Sequence, residues 1–418
     1  MAEVLVGRGP LALQSRARPA ACSLRCWRWC SSHQPGRRRA TLDRVATAAV
    51  LDTPGRPFGL ARTRDDAVWA LIQTGSTDQG PELSLARLDG DRFVVTGAAI
   101  GSARRTDFIH GPDGPWLQAG TTAQRLGGGD RRDVGTLIEG ERRVRVAVGG
   151  DATIVASIAG IRAGDPGIAR VRRVDPGGAV GWTVRLAPGL LAFGGVVEMS
   201  AARGWRAEPK PAWRPERWSP YGRGVLATGD LIVASFYDPS SGIGMRYGLA
   251  VEDGCVCWQT LPAPLGDTTV FACGEVAIGS QGYDAFETQL RGRGATPSAV
   301  WPSHGLGVAI DDTAVVIEMD NAAAGRCRLV RWHRDGRIER GDPLPGYYST
   351  RPAMITGGDI VFARAGALWR GDRSLRIHRL ATFGAERDSY TGPTIVTGSG
   401  DALVVAADRV VRVSGVVD

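Results

Sequence analysis

Short apolar runs, each entered through an acidic turn, recur along this chain. DDAVWA from Asp65, GDATIVAS from Gly150, GDLIVAS from Gly229, GEVAIGS from Gly274, DDTAVVI from Asp311, GDIVFAR from Gly358 and GDALVVA from Gly400 are six to eight residues long, rich in β-branched residues and bounded by turn formers. That is how short strands read in sequence. Two weaker copies, GPWLQAG from Gly114 and LLAFGG from Leu190, fill the gaps, so that marks stand at 66, 114, 151, 190, 230, 275, 312, 359 and 401, on average about 42 residues apart. A strand-built repeat of roughly 40–50 residues has the length of a four-stranded propeller blade. The pattern therefore predicts an all-β chain folded as a single β-propeller of four-stranded antiparallel blades.

A second register supports the first. Asp66 to Asp89, Asp230 to Asp253 and Asp312 to Asp335 are each 23 residues apart, and the second member is followed by Gly each time. Asp-Gly between apolar residues marks a tight hairpin, because Gly takes positive φ without a Cβ penalty. LSLARLDGDRFVV (83–95), YGLAVEDGCVCW (247–258) and LVRWHRDGRIE (329–339) are thus predicted as outer hairpins, with VRRVDPGGAVGW (171–182) a variant.

A strand, a gap and a hairpin reading apolar-apolar-acidic-x-Gly with Trp beyond it, as in LAVEDGCVCWQT and RRVDPGGAVGWTV, resembles the repeat of quinoprotein-like β-propellers, those related to pyrroloquinoline-quinone enzymes. The resemblance spans residues of about 66 to 418, with Trp182 and Trp258 in the expected place and Trp301 a third candidate. Quinone-dependent members carry adjacent cysteines. Here Val256 separates Cys255 from Cys257, so the cofactor is not carried over and none is expected.

Nine marks exceed the blade number usual for such rings, and those at 114 and 190 read equally well as strands within neighbouring blades. Eight blades are expected, with seven as the alternative. The last copy supplies only DALVVAA and RVVRVSG before the chain ends, so RVATAAVLD (44–52) is expected to add its outer strand and close the ring, removing an exposed edge.

Charge changes this picture little once it is located. The 418 residues carry 51 Lys plus Arg against 43 Asp plus Glu, a net +8. Eight arginines against Glu3 within residues 1–40 account for +7 of it, which leaves +1 for the body. A nearly neutral body lacks the basic stripe of a nucleic-acid binder. No apolar run approaches the roughly 18 residues of a membrane span. The first 40 residues lack the continuous apolar stretch of an export signal. They are read as a disordered Arg-rich leader, with residues 41–418 as the propeller. Cys22, Cys26 and Cys30 lack a convincing fourth metal ligand, so no metal is expected. An odd total of seven cysteines without an export signal favours a reducing, cytoplasmic location. A monomer is expected.

Candidate chemistry lies in the connections. RRTDFIH (104–110), RPERWSPYGR (214–223), WPSHG (301–305), GYYSTRP (346–352) and ERDSYTGP (386–393) are unusually aromatic and charged, and blade-to-blade connections gather at one mouth of a propeller channel. This makes Asp107, His110, Trp218, Tyr221, Arg223, Trp301, His304, Tyr347, Tyr348, Arg351, Arg387, Asp388 and Tyr390 the candidate ligand-binding set. Arginine forks and aromatic faces suit carboxylates, sugars or peptides. A Trp- and Pro-rich stretch (203–223) carrying Trp205, Trp213 and Trp218 is the candidate partner-binding segment. The recurring strand-start acids are expected to serve their turns. Nucleophile-elbow, phosphate-loop and zinc-protease patterns are missing. Two functions are therefore expected as alternatives. One is a non-catalytic propeller that binds a protein or small ligand at the channel mouth and through the Trp-rich segment. The other is a carbohydrate-active lyase or hydrolase acting on an acidic polysaccharide, with His110 or His304 as base, a Tyr as acid and Arg351 or Arg387 on a uronate carboxylate.

Overall fold

The computed structural model describes residues 46–77, 80–97, 99–102, 106–111, 113–133, 141–159, 168–186, 219–238, 243–260, 263–271, 273–281, 286–303, 305–320, 326–345, 350–355, 357–384 and 394–417. They form eight four-stranded antiparallel blades in a ring, without a helix. Blade 1 comprises Arg56–Arg62, Val68–Thr77, Gly80–Asp89 and Arg92–Val95. Blade 2 is Thr106–Gly111, Gly114–Ala119, Thr122–Arg125 and Arg131–Asp133; blade 3 is Glu141–Gly149, Ala152–Ala159, Ile168–Val174 and Val180–Leu186. Blade 4 is Ser219–Thr228, Leu231–Asp238, Ile243–Ala250 and Val256–Gln259; blade 5 is Ala263–Val270, Val276–Gln281, Phe286–Arg291 and Ala299–Trp301. Blade 6 is Gly305–Ile310, Thr313–Asp320, Arg326–His333 and Ile338–Pro345; blade 7 is Ala353–Met354, Ile360–Arg364, Ala367–Gly371 and Ile377–Thr382. Blade 8 takes Ile395–Val396, Ala402–Ala406 and Arg409–Ser414 from the end of the chain and Thr47–Leu51 from near its beginning.

Eight of the nine sequence marks fall at the turn that leads into a second strand; the mark at Leu190 lies outside the described residues, between the last strand of blade 3 and the first of blade 4. The second strands read as unbroken apolar runs because both faces are covered. In blade 7, Ile360 and Phe362 pack toward blade 6, while Val361 and Ala363 pack toward blade 8. Each of the eight blade-to-blade interfaces has its own cluster of buried apolar side chains.

The predicted Asp-Gly hairpins join third to fourth strands in blades 1, 3, 4 and 6. Several turns share one geometry. His333 N–H donates to the Arg337 carbonyl and Gly336 N–H to the His333 carbonyl. Gly336 sits at φ 90°. The same bonds recur from Thr63, Asp175, Phe271, Ile355, Asp372 and Thr397.

Trp182, Trp258 and Trp301 play one repeated part. Each stands on a fourth strand and donates its indole N–H to a carbonyl at the far end of the next blade's third strand: Val251 at 3.1 Å, Gly292 at 2.7 Å and His333 at 3.2 Å. The ring closes as expected. Thr47 pairs with Ser414 and Leu51 with Val410, antiparallel, so the chain's two ends share blade 8.

Candidate functional site

First strands of blades 1 to 4 stand side by side in sequence, as do those of blades 5 and 6 and those of blades 7, 8 and 1. They are therefore the innermost strands and line the channel. Since every blade is antiparallel and built in the same order, all first strands begin at one mouth, here called the leading mouth, and turn back at the opposite rim.

The opposite rim holds the recurring acids, and ion pairs occupy them. Arg293 of blade 5 reaches back to Glu252 at 2.7 Å and Asp230 at 3.4 Å on blade 4. Arg334 of blade 6 joins Glu275 of blade 5 at 2.7 Å to Asp312 at 3.4 Å. Within blade 7, Arg370 holds Asp359 at 2.8 Å. The acids thus serve structure, though chiefly through arginines on or just beyond third strands rather than through their own turns. Burial pushes the Glu275 carboxyl up, but hydrogen bonds from Ser298, Arg334 and Cys273 outweigh it and hold the group below the ordinary glutamate range. Among the described residues, no cluster of His, Cys, Asp and Glu is arranged to hold a metal ion.

At the leading mouth the structure places part of the expected set. Asp107 is half-buried early in the first strand of blade 2, whereas His110 is not at this mouth: it pairs with Pro115 one residue before the turn into the second strand, at the opposite rim. Tyr221 and Arg223 belong to the first strand of blade 4. His304, Tyr347, Tyr348, Arg387, Asp388, Tyr390, Trp205, Trp213 and Trp218 lie outside the described residues. Trp301 does not face the channel: it is 0% exposed, stacked between Phe271 and Trp332 with ring centroids at 6.2 and 5.1 Å. With both faces and its N–H engaged, it has nothing left to offer a ligand.

Arg351 is the member whose position is most informative. Thr350, just before it, accepts the Ala363 N–H at 2.9 Å and shares a 2.5 Å hydrogen bond with Thr394 of blade 8. Arg351 then extends past blade 6, and its Nη2 donates to the Thr268 carbonyl of blade 5 at 3.3 Å. It spans part of the channel wall.

Several charges in the mouth halves of the blades escaped the sequence reading. Glu318 on the second strand of blade 6 is held by Arg328 Nε at 3.2 Å and Arg340 Nη2 at 3.4 Å. Arg246 on blade 4 donates to the Gly279 carbonyl of blade 5 at 2.5 Å. Arg364 ends the second strand of blade 7 with its Nε and Nη2 buried and unpartnered. The available signal was a charge inside a run otherwise apolar at every position, as in IVFAR, VVIEM and GMRYGLA.

Fold and mouth together define the class: an eight-bladed β-propeller closed by its N-terminal strand. No family model matches the chain, and no curated protein matches it. Similar solved structures include a catalytically inactive virginiamycin B lyase from Staphylococcus aureus with quinupristin, at 11% identity over 88% of this chain and 99% of that one, TM-score 0.42. YCF48 bound to D1 peptide is similar at 14% identity over 90% and 98%, TM-score 0.41, and the Dos1 propeller at 8% over 88% and 94%, TM-score 0.48. Likeness at this level identifies no activity and no ligand. Among the described residues, no helix is long and apolar enough to cross a membrane.

Proposed function

We propose that this chain is a non-catalytic β-propeller that binds a protein or small ligand at its leading mouth. One observation carries the reading: the five aromatic and charged segments all precede or open first strands in sequence, and the described Asp107 and Arg351 stand in or just before first strands, which begin at the leading mouth. Arg351 supports it from within, as a cation reaching along the channel wall. The Trp- and Pro-rich stretch precedes the first strand of blade 4 in sequence, and its Trp205, Trp213 and Trp218 suit a protein partner. Kinship with quinoprotein-like propellers is part of the proposal, supported by the repeated indole contacts of Trp182, Trp258 and Trp301.

The test screens the full chain against peptides and neutral and acidic oligosaccharides, reading binding and turnover together. Binding without turnover, weakened by Arg351→Ala, is the expected outcome. Turnover of an acidic oligosaccharide that disappears in His304→Ala would overturn it in favour of a lyase or hydrolase.

A further inference from the structure

Arg364 is 2% exposed. Strand alternation sets it on the face of Ile360 and Phe362, which pack against Ile317, Cys327 and Leu329 of blade 6. It ends its strand one residue before the turn at the leading mouth, so the guanidinium lies in the cleft between blades 6 and 7.

The chemistry of the unpartnered atoms is specific. Nε and Nη2 of one guanidinium present their N–H groups along the same edge, the side-on fork that matches the two oxygens of a carboxylate or phosphate. Arginine does not escape burial by losing its proton, and an uncompensated buried ion is strongly unfavourable. Cys327, which senses this charge from blade 6, is a thiol that burial pushes up and keeps neutral, so it supplies no negative charge. Arg351 does not compensate it either, being a cation itself and committed through its Nη2 to the Thr268 carbonyl of blade 5, beyond blade 6.

We propose that the leading mouth between blades 6 and 7 is an oxoanion subsite, in which the Nε/Nη2 edge of Arg364 takes the two oxygens of a ligand carboxylate. The inference rests on the mouth-binding reading and names the chemistry of what binds there. The edge is closed to bulk solvent, so a carboxylate reaches it through a local opening of the cleft.

Thermal unfolding and calorimetric titration of the full chain test this, comparing wild type with Arg364→Met, Arg364→Lys and Arg351→Met in acetate, galacturonate, galactose, phosphate and chloride at matched ionic strength. Carboxylates are expected to raise the Tm of wild type and to bind Arg364→Met about 10- to 100-fold more weakly. Arg364→Lys keeps the charge without the fork and should fall between. Without carboxylate, Arg364→Met is expected to be at least as stable as wild type, because an apolar side chain replaces a charge with no counterion.

A lower Tm for Arg364→Met, together with no effect of acetate or galacturonate on wild type, would overturn the subsite and make Arg364 structural. Phosphate binding more tightly than galacturonate would overturn the choice of carboxylate. Equal binding of galactose and galacturonate, lost in Arg351→Met but unchanged in Arg364→Met, would leave the mouth reading standing and overturn the oxoanion subsite. No binding by any of these, with no Arg351 dependence for peptides either, would remove both.

Discussion

Gly248 shows how one residue without a side chain can serve a blade-to-blade contact. It pairs across the hairpin with Trp258, and a Cβ built on it would lie 2.1 Å from that indole. The bare backbone lets the ring lie flat and carry its N–H to Gly292 on blade 5. Gly248→Ala is therefore expected to displace the indole and cost about 2 kcal/mol through lost packing and an unmade hydrogen bond. In a Trp258→Ala background the same change should cost much less, since nothing remains to be displaced. Thermal unfolding of the two single variants and the double variant measures the coupling. Additive losses would show that Gly248 serves its strand rather than the indole. The tryptophans also show where one residue supports two sequence readings. Trp301 stood both at the repeated Trp position after a blade's hairpin and at the head of an aromatic connection; sequence spacing could not choose between a blade contact and a mouth ligand, whereas the partner carbonyl of His333 on blade 6 does.

At the scale of strands and turns, the opposite rim works as a chain of arginine clamps between blades, and its acids set a pH dependence. Glu275 is held below the ordinary carboxyl value of 4.5 in the folded chain by the donors around it, against the pull of burial. A lowered folded value means that the unfolded chain binds the proton more readily. The stabilisation is thus complete above the unfolded value and disappears as pH falls through the folded one. The Tm gap between wild type and Glu275→Gln is expected to be widest near neutrality and to close on acidification below about pH 4.5. A gap constant from pH 7 to pH 3 would show that the Arg334 clamp contributes nothing through charge. Asp372 has the same sign: burial raises it, but the Arg376 N–H and the His378 ring lead the groups that bring it lower. Turns of this kind were legible because Gly and Asp mark backbone geometry directly. Buried arginines were not. A strand covered on both faces has no polar side for a charge to break, so alternation gave Arg364 and Arg246 no inside or outside.

The repeat made the whole molecule legible, because a blade cannot bury its own faces and must stack on neighbours of equal length. Nine marks yielded eight blades, and the fold depends on how the last one is completed. Thr47–Leu51 covers the edge of Arg409–Ser414 and is tied to blade 1 as well: Asp52 N–H donates to the Asp91 carbonyl at 3.0 Å, and Phe93 N–H to the Asp52 carbonyl at 2.8 Å. Leu51 is buried with Leu403, Val405 and Val410, so the closing strand also completes the apolar contact between blades 8 and 1. A chain beginning at residue 44, where the propeller unit starts, is expected to unfold with the Tm of the full chain. Removal of residues 1–52 instead exposes an unpaired strand edge and part of a core, and should lower the Tm and produce concentration-dependent association through that edge. The two truncations differ by nine residues, so a loss of stability confined to the shorter chain isolates the closing strand. Equal stability in both would mean that blade 8 holds with three strands, and that the ring is closed by packing rather than by hydrogen bonding across the chain ends.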